Sequence, residues 1–276
     1  MSLRPAKFLQ RFPWSREIIY QTKSPISGKV AVVQKGRERR LMVQGIRQSI
    51  NYDAPGIEGR YWGRVVGEVA LRLHPTGVFE ASPRLKSRVG RGASPAALEM
   101  ALPQAVTPVG CVEPDGQAIA QRVLILGLGG GTVAHLLARA FPGAEITGVE
   151  LDPQIIDVAR RFFDLDQVSK LKVVCADAAD VVKGSGTYDL VLSDIYCGGR
   201  FPEKFAREEF LVGVKNLLAP QGLAIFNRVL RRGARSDLDD FVEKVGEVFA
   251  IVEEVEVPGP SGFANLLLLA TNDGLS

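Results

Sequence analysis

Residues 123–132 read VLILGLGGGT: four apolar side chains, a glycine, a leucine, three glycines and a threonine. A short apolar run that breaks into glycines and then resumes at helical spacing (Val133, Leu136, Leu137, Ala140) predicts a buried strand, a tight loop and a helix. Glycines let a backbone pass close to a ligand, and the helix N-terminus contributes unpaired N–H groups and a partial positive charge. This strand–loop–helix unit is the first step of an open α/β sheet, and the rest of the chain is read outward from it.

Downstream, strands and helices alternate. Glu145–Leu151 is expected to be a strand, followed by Asp152 as N-cap and Pro153 at the first helical position. Ile155, Ile156, Ala159, Phe162 and Phe163 give that helix its buried stripe. Strands are expected at Leu171–Cys175 and Leu190–Ser193, then a helix Glu203–Leu218, a strand Leu223–Asn227 and a helix Ser236–Phe249. Two closing strands, Ile251–Val257 and Ala264–Ala270, are joined by a link too short for a parallel crossover, so they pair antiparallel. The fold class is therefore α/β, a Rossmann-like doubly wound sheet closed by an antiparallel hairpin, the layout of class I methyltransferase-type folds.

That domain spans 119–276. Residues 16–74 read as a small N-terminal β-domain, with strands near Glu17–Gln21, Lys29–Gln34 and Arg40–Val43 and a helix over 61–73. Residues 75–118, rich in Pro, Gly and Ser, read as an irregular connector with one short helix near Ala96–Ala101.

Successive strand ends each deliver an acid. Glu150 stands where a carboxylate can accept both ribose hydroxyls of an adenosine ligand, and Asp177 where an adenine amino group can be held. Asp194 ends the run Leu190–Ser193 and faces the place where such sheets keep their chemistry. Gly127, Gly129, Gly130 and Gly131 complete the nucleoside site. A dinucleotide fingerprint wants Gly or Ala at its sixth position, but Thr132 is there, which favours S-adenosylmethionine-type ligands over NAD.

Composition narrows the function classes. The chain has 276 residues, 46% hydrophobic and 24% charged, ordinary for a soluble globular protein. It contains no run of about 18 apolar residues, so neither a membrane span nor a secretory signal is expected. Cys111, Cys175 and Cys197 are scattered, and His74 and His135 are the only histidines, so no metal site and no His-based triad is expected. The free thiols suit a reducing, cytoplasmic setting. Residues 1–117 hold 18 Lys and Arg against 9 Asp and Glu, but no nucleic-acid motif accompanies this surplus and nucleic-acid binding is not expected. His135 reads as a packed helix residue.

The stretches VLILGLGGGT (123–132), GVELDP (148–153), ADA (176–178), YDLVLSDIY (188–196) and EEFLVGVKNLLAPQG (208–222) together resemble the spermidine synthase-like family of polyamine aminopropyltransferases. LMVQGIRQS (41–49) is similar to part of that family's small β-domain. The resemblance implies decarboxylated S-adenosylmethionine as aminopropyl donor, a small-molecule amine acceptor, a homodimer, and Asp194 as the base or amine anchor. It also carries Gln48 over as a substrate-binding residue. By their own chemistry Tyr196 is expected either to stack on a ligand or to close the loop, Cys197 to line the pocket as a small side chain, and Arg200–Lys204, a loop at a strand's carboxyl end, to gate the site.

Five departures bear on the acceptor and donor. Cys197 stands where the family has a second acid, and Gly130 where it has the acid that meets the donor amine. Ser27-Gly28 replaces a Gln-Asp pair, Trp62-Gly63 a His-Glu pair, and Gln44 an Asp. An acceptor other than plain putrescine is expected, with relaxed discrimination against intact S-adenosylmethionine, since loop amides near Gly130 could take its carboxylate. The readings that remain are aminopropyl transfer, methyl transfer from the intact cofactor, and a non-catalytic nucleoside-binding relative.

Overall fold

The computed structural model describes residues 16–73, 120–231, 235–259 and 262–272. The connector over 75–118, its expected short helix, His74 and Cys111 lie outside the described residues. Two sheets organise the described residues: a four-stranded one in the order β1-β2-β3-β4 and a seven-stranded one.

The small sheet is an antiparallel meander of β1 (Glu17–Ser24), β2 (Gly28–Lys35), β3 (Glu38–Val43) and β4 (Ile46–Ile50). Its first turn is set by Ser24, whose hydroxyl accepts the amides of Ile26 at 3.0 Å and Ser27 at 3.2 Å. Alternation sends Val30, Val32, Leu41 and Val43 to one face, which packs on Ile155, Val158 and Phe163. The helix α1 (Tyr61–Arg72) follows. Its Tyr61, Trp62, Val65 and Val69 are buried in one cluster with Ile50 of β4 and with Val123, Val133 and Leu137 of the large domain.

The large sheet contains β5 (Arg122–Leu126), β6 (Glu145–Glu150), β7 (Leu171–Cys175), β8 (Tyr188–Ser193), β9 (Leu218–Arg231), β10 (Ile251–Pro258) and β11 (Phe263–Thr271). Its order is β10-β11-β9-β8-β5-β6-β7, with β11 antiparallel to both β9 and β10. The helices are α2 (Thr132–Ala140), α3 (Pro153–Phe162), α4 (Ala178–Val181), α5 (Glu208–Asn216) and α6 (Ser236–Val248). Both faces are covered, which is why the central strands read as unbroken apolar runs. Val123 and Ile125 of β5 enter the core with α1 and α2, while Leu124 and Leu126 enter the one with α5 and α6.

Two expected elements differ. The helix expected over Glu203–Leu218 is split into a 3-10 turn, Glu203–Ala206, and α5, with Arg207 extended between them. Phe205 and Phe210 explain the break: both are buried, with ring centroids 5.0 Å apart. A continuous helix would place residues five apart about 140° away from each other around its axis. The strand expected at Leu223–Asn227 runs from Leu218 to Arg231. Its register with β8 jumps between the Tyr188–Leu218 and Leu190–Leu223 pairs, so the Pro220–Gly222 segment loops out without ending the strand.

Candidate active site

The cavity opens at the carboxyl ends of β5, β6 and β8 and has a volume of about 240 Å³. Its position follows from topology: the chain order reverses between β5 and β8, and the loops leaving them diverge there. Gly127 closes the floor with φ +93°, and a Cβ there would stand 2.3 Å from the Asp194 carbonyl oxygen. Only glycine lets the two strand ends approach this closely.

The glycine loop divides in two. Gly127 and Gly129 line the cavity, but Gly130 and Gly131 do not. A Cβ on Gly131 would meet Leu165, and one on Gly130 would lie 2.7 Å from the Ser49 Cβ. The Gly130 amide is already committed, donating to the Ser49 hydroxyl at 2.8 Å. Among the loop amides expected to be able to take a cofactor carboxylate, that of Gly130 is held by β4 of the small sheet. Thr132 completes the docking, its hydroxyl donating to the Ile50 carbonyl at 2.5 Å and accepting the Ile50 amide at 3.3 Å. Neither Ser49 nor this use of Thr132 left a local signal in the sequence.

Glu150 lines the cavity. One of its oxygens accepts the Gly129 amide at 3.0 Å and the other the Asp152 amide at 3.1 Å. A carboxylate offers about four lone-pair sites, so capacity remains for two ligand hydroxyls. Burial pushes its pKa up, only partly opposed by these amides. Asp177 caps α4 by accepting the Ala179 amide at 2.9 Å, and its second oxygen pairs with Lys204. Burial works to raise the Asp177 pKa, but Lys204 and the capping amide outweigh it and leave it lowered.

Asp194 sits across the glycine loop from these two acids. Its backbone amide donates to Leu126 at 2.9 Å, and its side chain accepts from the Asn227 amide group at 2.7 Å. Asn227 is itself held by Asn265 at 2.9 Å. The buried Tyr61 hydroxyl is turned toward the carboxylate without completing a hydrogen bond. Burial raises the Asp194 pKa, and Asn227 and Tyr61 only partly offset this. Burial and the Asp194 charge in turn raise the Tyr61 phenol well above its ordinary value. Asn227 could have been suspected as the polar residue that ends the apolar run LAIF, but Tyr61 was indistinguishable from its buried neighbours.

Gln48, Tyr196 and Cys197 all line the cavity. The Tyr196 hydroxyl accepts the Val229 amide at 2.6 Å, and burial first, then Asp194, raises its pKa. Cys197 and Arg200 close a two-residue turn through reciprocal backbone bonds of 2.9 and 3.0 Å. Gly198 and Gly199 between them have φ of +54° and +78°, and Cβ atoms there would press on Gln44 and Ile46. The turn between β3 and β4 therefore packs directly on this segment, which continues through Pro202, Lys204 and Phe205 along the cavity wall. Arg228 stacks on Phe201 of the segment at 3.7 Å from the ring centroid and steadies it from outside. His135 is packed: its ring bonds to the Phe163 carbonyl at 2.9 Å and stacks on Tyr52.

Comparison with known proteins agrees with this architecture. Residues 123–222 match a family model described as a methyltransferase domain. Over 111 residues the chain is 35% identical to the polyamine aminopropyltransferase of Vibrio vulnificus, covering 39% of this chain and 37% of that one. Over 122 residues it is 33% identical to the human eEF1A lysine and N-terminal methyltransferase, covering 40% of this chain and 18% of that one. The chain thus spans well under half the length of these curated relatives. A probable spermidine synthase from Corynebacterium glutamicum shares the fold across 93% of this chain and 81% of its own, with TM-score 0.62 and 19% identity. Human Methyltransferase-like protein 13, solved in complex with SAH, aligns over 56% of this chain and 72% of its own, with TM-score 0.50 and 26% identity. Sequence and structure comparisons together support the resemblance to the spermidine synthase-like family on a class I methyltransferase fold.

Proposed function

We propose that this chain is a transferase that moves an aminopropyl group from decarboxylated S-adenosylmethionine to the nitrogen of a small amine acceptor. The observation that carries the reading is Asp194, a half-buried carboxylate at the end of β8, fixed by Asn227 and lining the cavity across the glycine loop from Glu150 and Asp177. The cavity suits the nucleoside: glycine backbone at its floor, a carboxylate with spare lone pairs for ribose hydroxyls in Glu150, and a second acid for the adenine amino group in Asp177.

The chemistry follows from these positions. A protonated amine has no lone pair to attack with, and Asp194 accepts the proton it must lose. Its raised pKa makes it a stronger base than an exposed carboxylate. As the N–C bond forms in line, the C–S bond breaks, its electron pair stays on sulfur, and the sulfonium becomes a neutral thioether. Among the described residues the acceptor side offers Ser27, Gln48, Trp62 and Cys197 but no second carboxylate. A plain diamine would bury its distal ammonium there without a counter-charge, which is costly. The acceptor therefore differs from putrescine. A homodimer and a cytoplasmic setting belong to the same proposal, supported by the family resemblance and the free cysteines.

Methyl transfer from intact S-adenosylmethionine is the second reading, favoured by the methyltransferase domain match and the methyltransferase relatives. The same Asp194 would serve it. Calorimetric titration with the decarboxylated and intact donors separates the two. Preference for the decarboxylated form upholds aminopropyl transfer, and preference for the intact form transfers the assignment to methylation. Binding of either donor without turnover across an amine panel would make the chain a non-catalytic nucleoside binder.

A further inference from the structure

Charge is distributed unevenly around the cavity. Among the described residues its charged lining consists of Glu150, Asp177 and Lys204, which belong to the nucleoside end, and Asp194. Lys204 is spent on Asp177. Beyond Asp194 the wall comes from the turn after β1, from β3 and β4, and from the start of α1. It contributes Ile26, Val43 and Trp62 with the neutral Ser27 and Gln48.

Contacts on either side fix where this wall stands. A Cβ on Gly28 would collide with the Gln44 amide group, and one on Gly198 would lie 3.1 Å from the Gln44 Cγ. The turn carrying Ile26 and Ser27 and the turn after Cys197 therefore meet on one side chain. Trp62 follows Tyr61, whose hydroxyl is turned toward Asp194, and the two rings stand edge to face with centroids 5.8 Å apart. The wall thus borders the reacting carboxylate.

Its surface suits an uncharged apolar group. Ile26 lines the cavity yet is 44% exposed, apolar area that a ligand would remove from water. An aromatic ring can hold a ligand cation on its face, but the Arg47 guanidinium already lies 5.6 Å from the Trp62 centroid. A second cation there would meet a like charge. It would also lack a counter-ion, since Asp194 is engaged with the nitrogen that reacts. A methyl or aryl group meets neither cost and gains the contact.

We infer that Ile26, Val43 and Trp62 form the binding wall for the acceptor's tail, and that the acceptor is a primary amine with an uncharged, apolar remainder rather than a diamine. Calling this ligand the acceptor rests on the transferase reading, whereas the wall stands on its own side chains. Aliphatic and aromatic tails share this recognition chemistry. In an apolar pocket with one convergent polar group, Asp194 takes the nitrogen and the tail lies against the wall.

Calorimetry on the full chain tests this with three amines, in the presence of methylthioadenosine, the thioether left after aminopropyl transfer. n-Pentylamine matches putrescine atom for atom except that a methyl replaces the far ammonium, and 2-phenylethylamine offers an aromatic tail. At least one monoamine is expected to bind at least about tenfold more tightly than putrescine. The tighter of the two identifies the tail as aliphatic or aromatic. Cys197→Asp places a carboxylate at an exposed position that lines the cavity, and it should cut the preference at least about tenfold. Equal or tighter binding of putrescine by the wild type, no binding of any of the three, or an unchanged preference in the variant overturns the inference. Turnover of the same amines with decarboxylated S-adenosylmethionine, read by mass spectrometry as N-aminopropyl product, keeps the two questions apart. A monoamine that binds preferentially but yields no product removes the aminopropyl reading and leaves the wall standing. Product from putrescine alone does the reverse.

Discussion

The bond between Ser49 and the glycine loop sets the spacing between the small sheet and the cavity, and Ser49→Ala isolates it. The hydroxyl accepts the Gly130 amide at 2.8 Å, and Ser49 is only 4% exposed. Alanine keeps the Cβ that touches the loop, so almost no packing changes and the effect is that of one buried N–H losing its acceptor. Such a loss costs about 1–3 kcal/mol. At about 2–4 °C per kcal/mol for a chain of this size, the melting temperature should fall by about 2–12 °C. Gly130→Ala probes the same contact from the other side. Its new Cβ would stand 2.7 Å from the Ser49 Cβ, an overpacking of roughly 1–3 kcal/mol. Combining it with Ser49→Gly removes the colliding atom and should recover much of that loss, giving a coupling of about 0.5–3 kcal/mol in a double-mutant cycle. Thermal unfolding followed by circular dichroism reads all the variants. A Ser49→Ala melting point within about 1 °C of wild type, together with additive single and double variants, would refute the reasoning.

Three further outcomes are expected. Asp194→Asn should lower turnover about 10²–10⁴-fold while leaving donor affinity in place, as loss of a general base does. The folded-state pKa of Asp194 is raised by burial, so its contribution to stability is present at low pH and lost as pH rises through that pKa. The asparagine variant should accordingly melt no lower than wild type at pH 7, and the wild-type rate should fall on acidification through the same titration; a pH-independent rate would count against the base role. Lys204→Met removes a partly exposed ion pair, with side chains 41% and 25% exposed, so stability should change by less than about 1 kcal/mol. It should tighten adenosine binding by freeing Asp177, and an unchanged affinity in calorimetry would mean that Asp177 does not meet the base. Asp177, whose pKa is lowered, contributes stability above its unfolded pKa that is lost as pH falls through the folded value, and Lys204→Met should flatten this dependence. Gly127→Ala combines a left-handed backbone with a Cβ 2.3 Å from the Asp194 carbonyl oxygen. A cost of about 2–5 kcal/mol should appear as a lower unfolding midpoint in denaturant, and a midpoint equal to wild type would show that the two strand ends can separate freely.

What the chain's sequence determined by itself is the large sheet and the order of its acids. Glycine breaks, Asp-Pro capping at 152–153 and apolar runs at β5 and β8 are local signals, so Glu150, Asp177 and Asp194 could be placed at strand ends without coordinates. The antiparallel closure was legible too, because a short link permits no other pairing. Tertiary structure decided what surrounds those acids. Ser49 reaches the glycine loop from 81 residues away, Asn227 and Tyr61 converge on Asp194 from different elements, Lys204 meets Asp177 from 27 residues further along, and the chain breaks at Arg207 between the 3-10 turn and α5. The positions of Phe205 and Phe210 forced that break, and neither residue announces it alone. Period and capping report how a segment folds on itself. Which side chains then share a carboxylate depends on how separate segments dock, and that is fixed by the packing of the whole core.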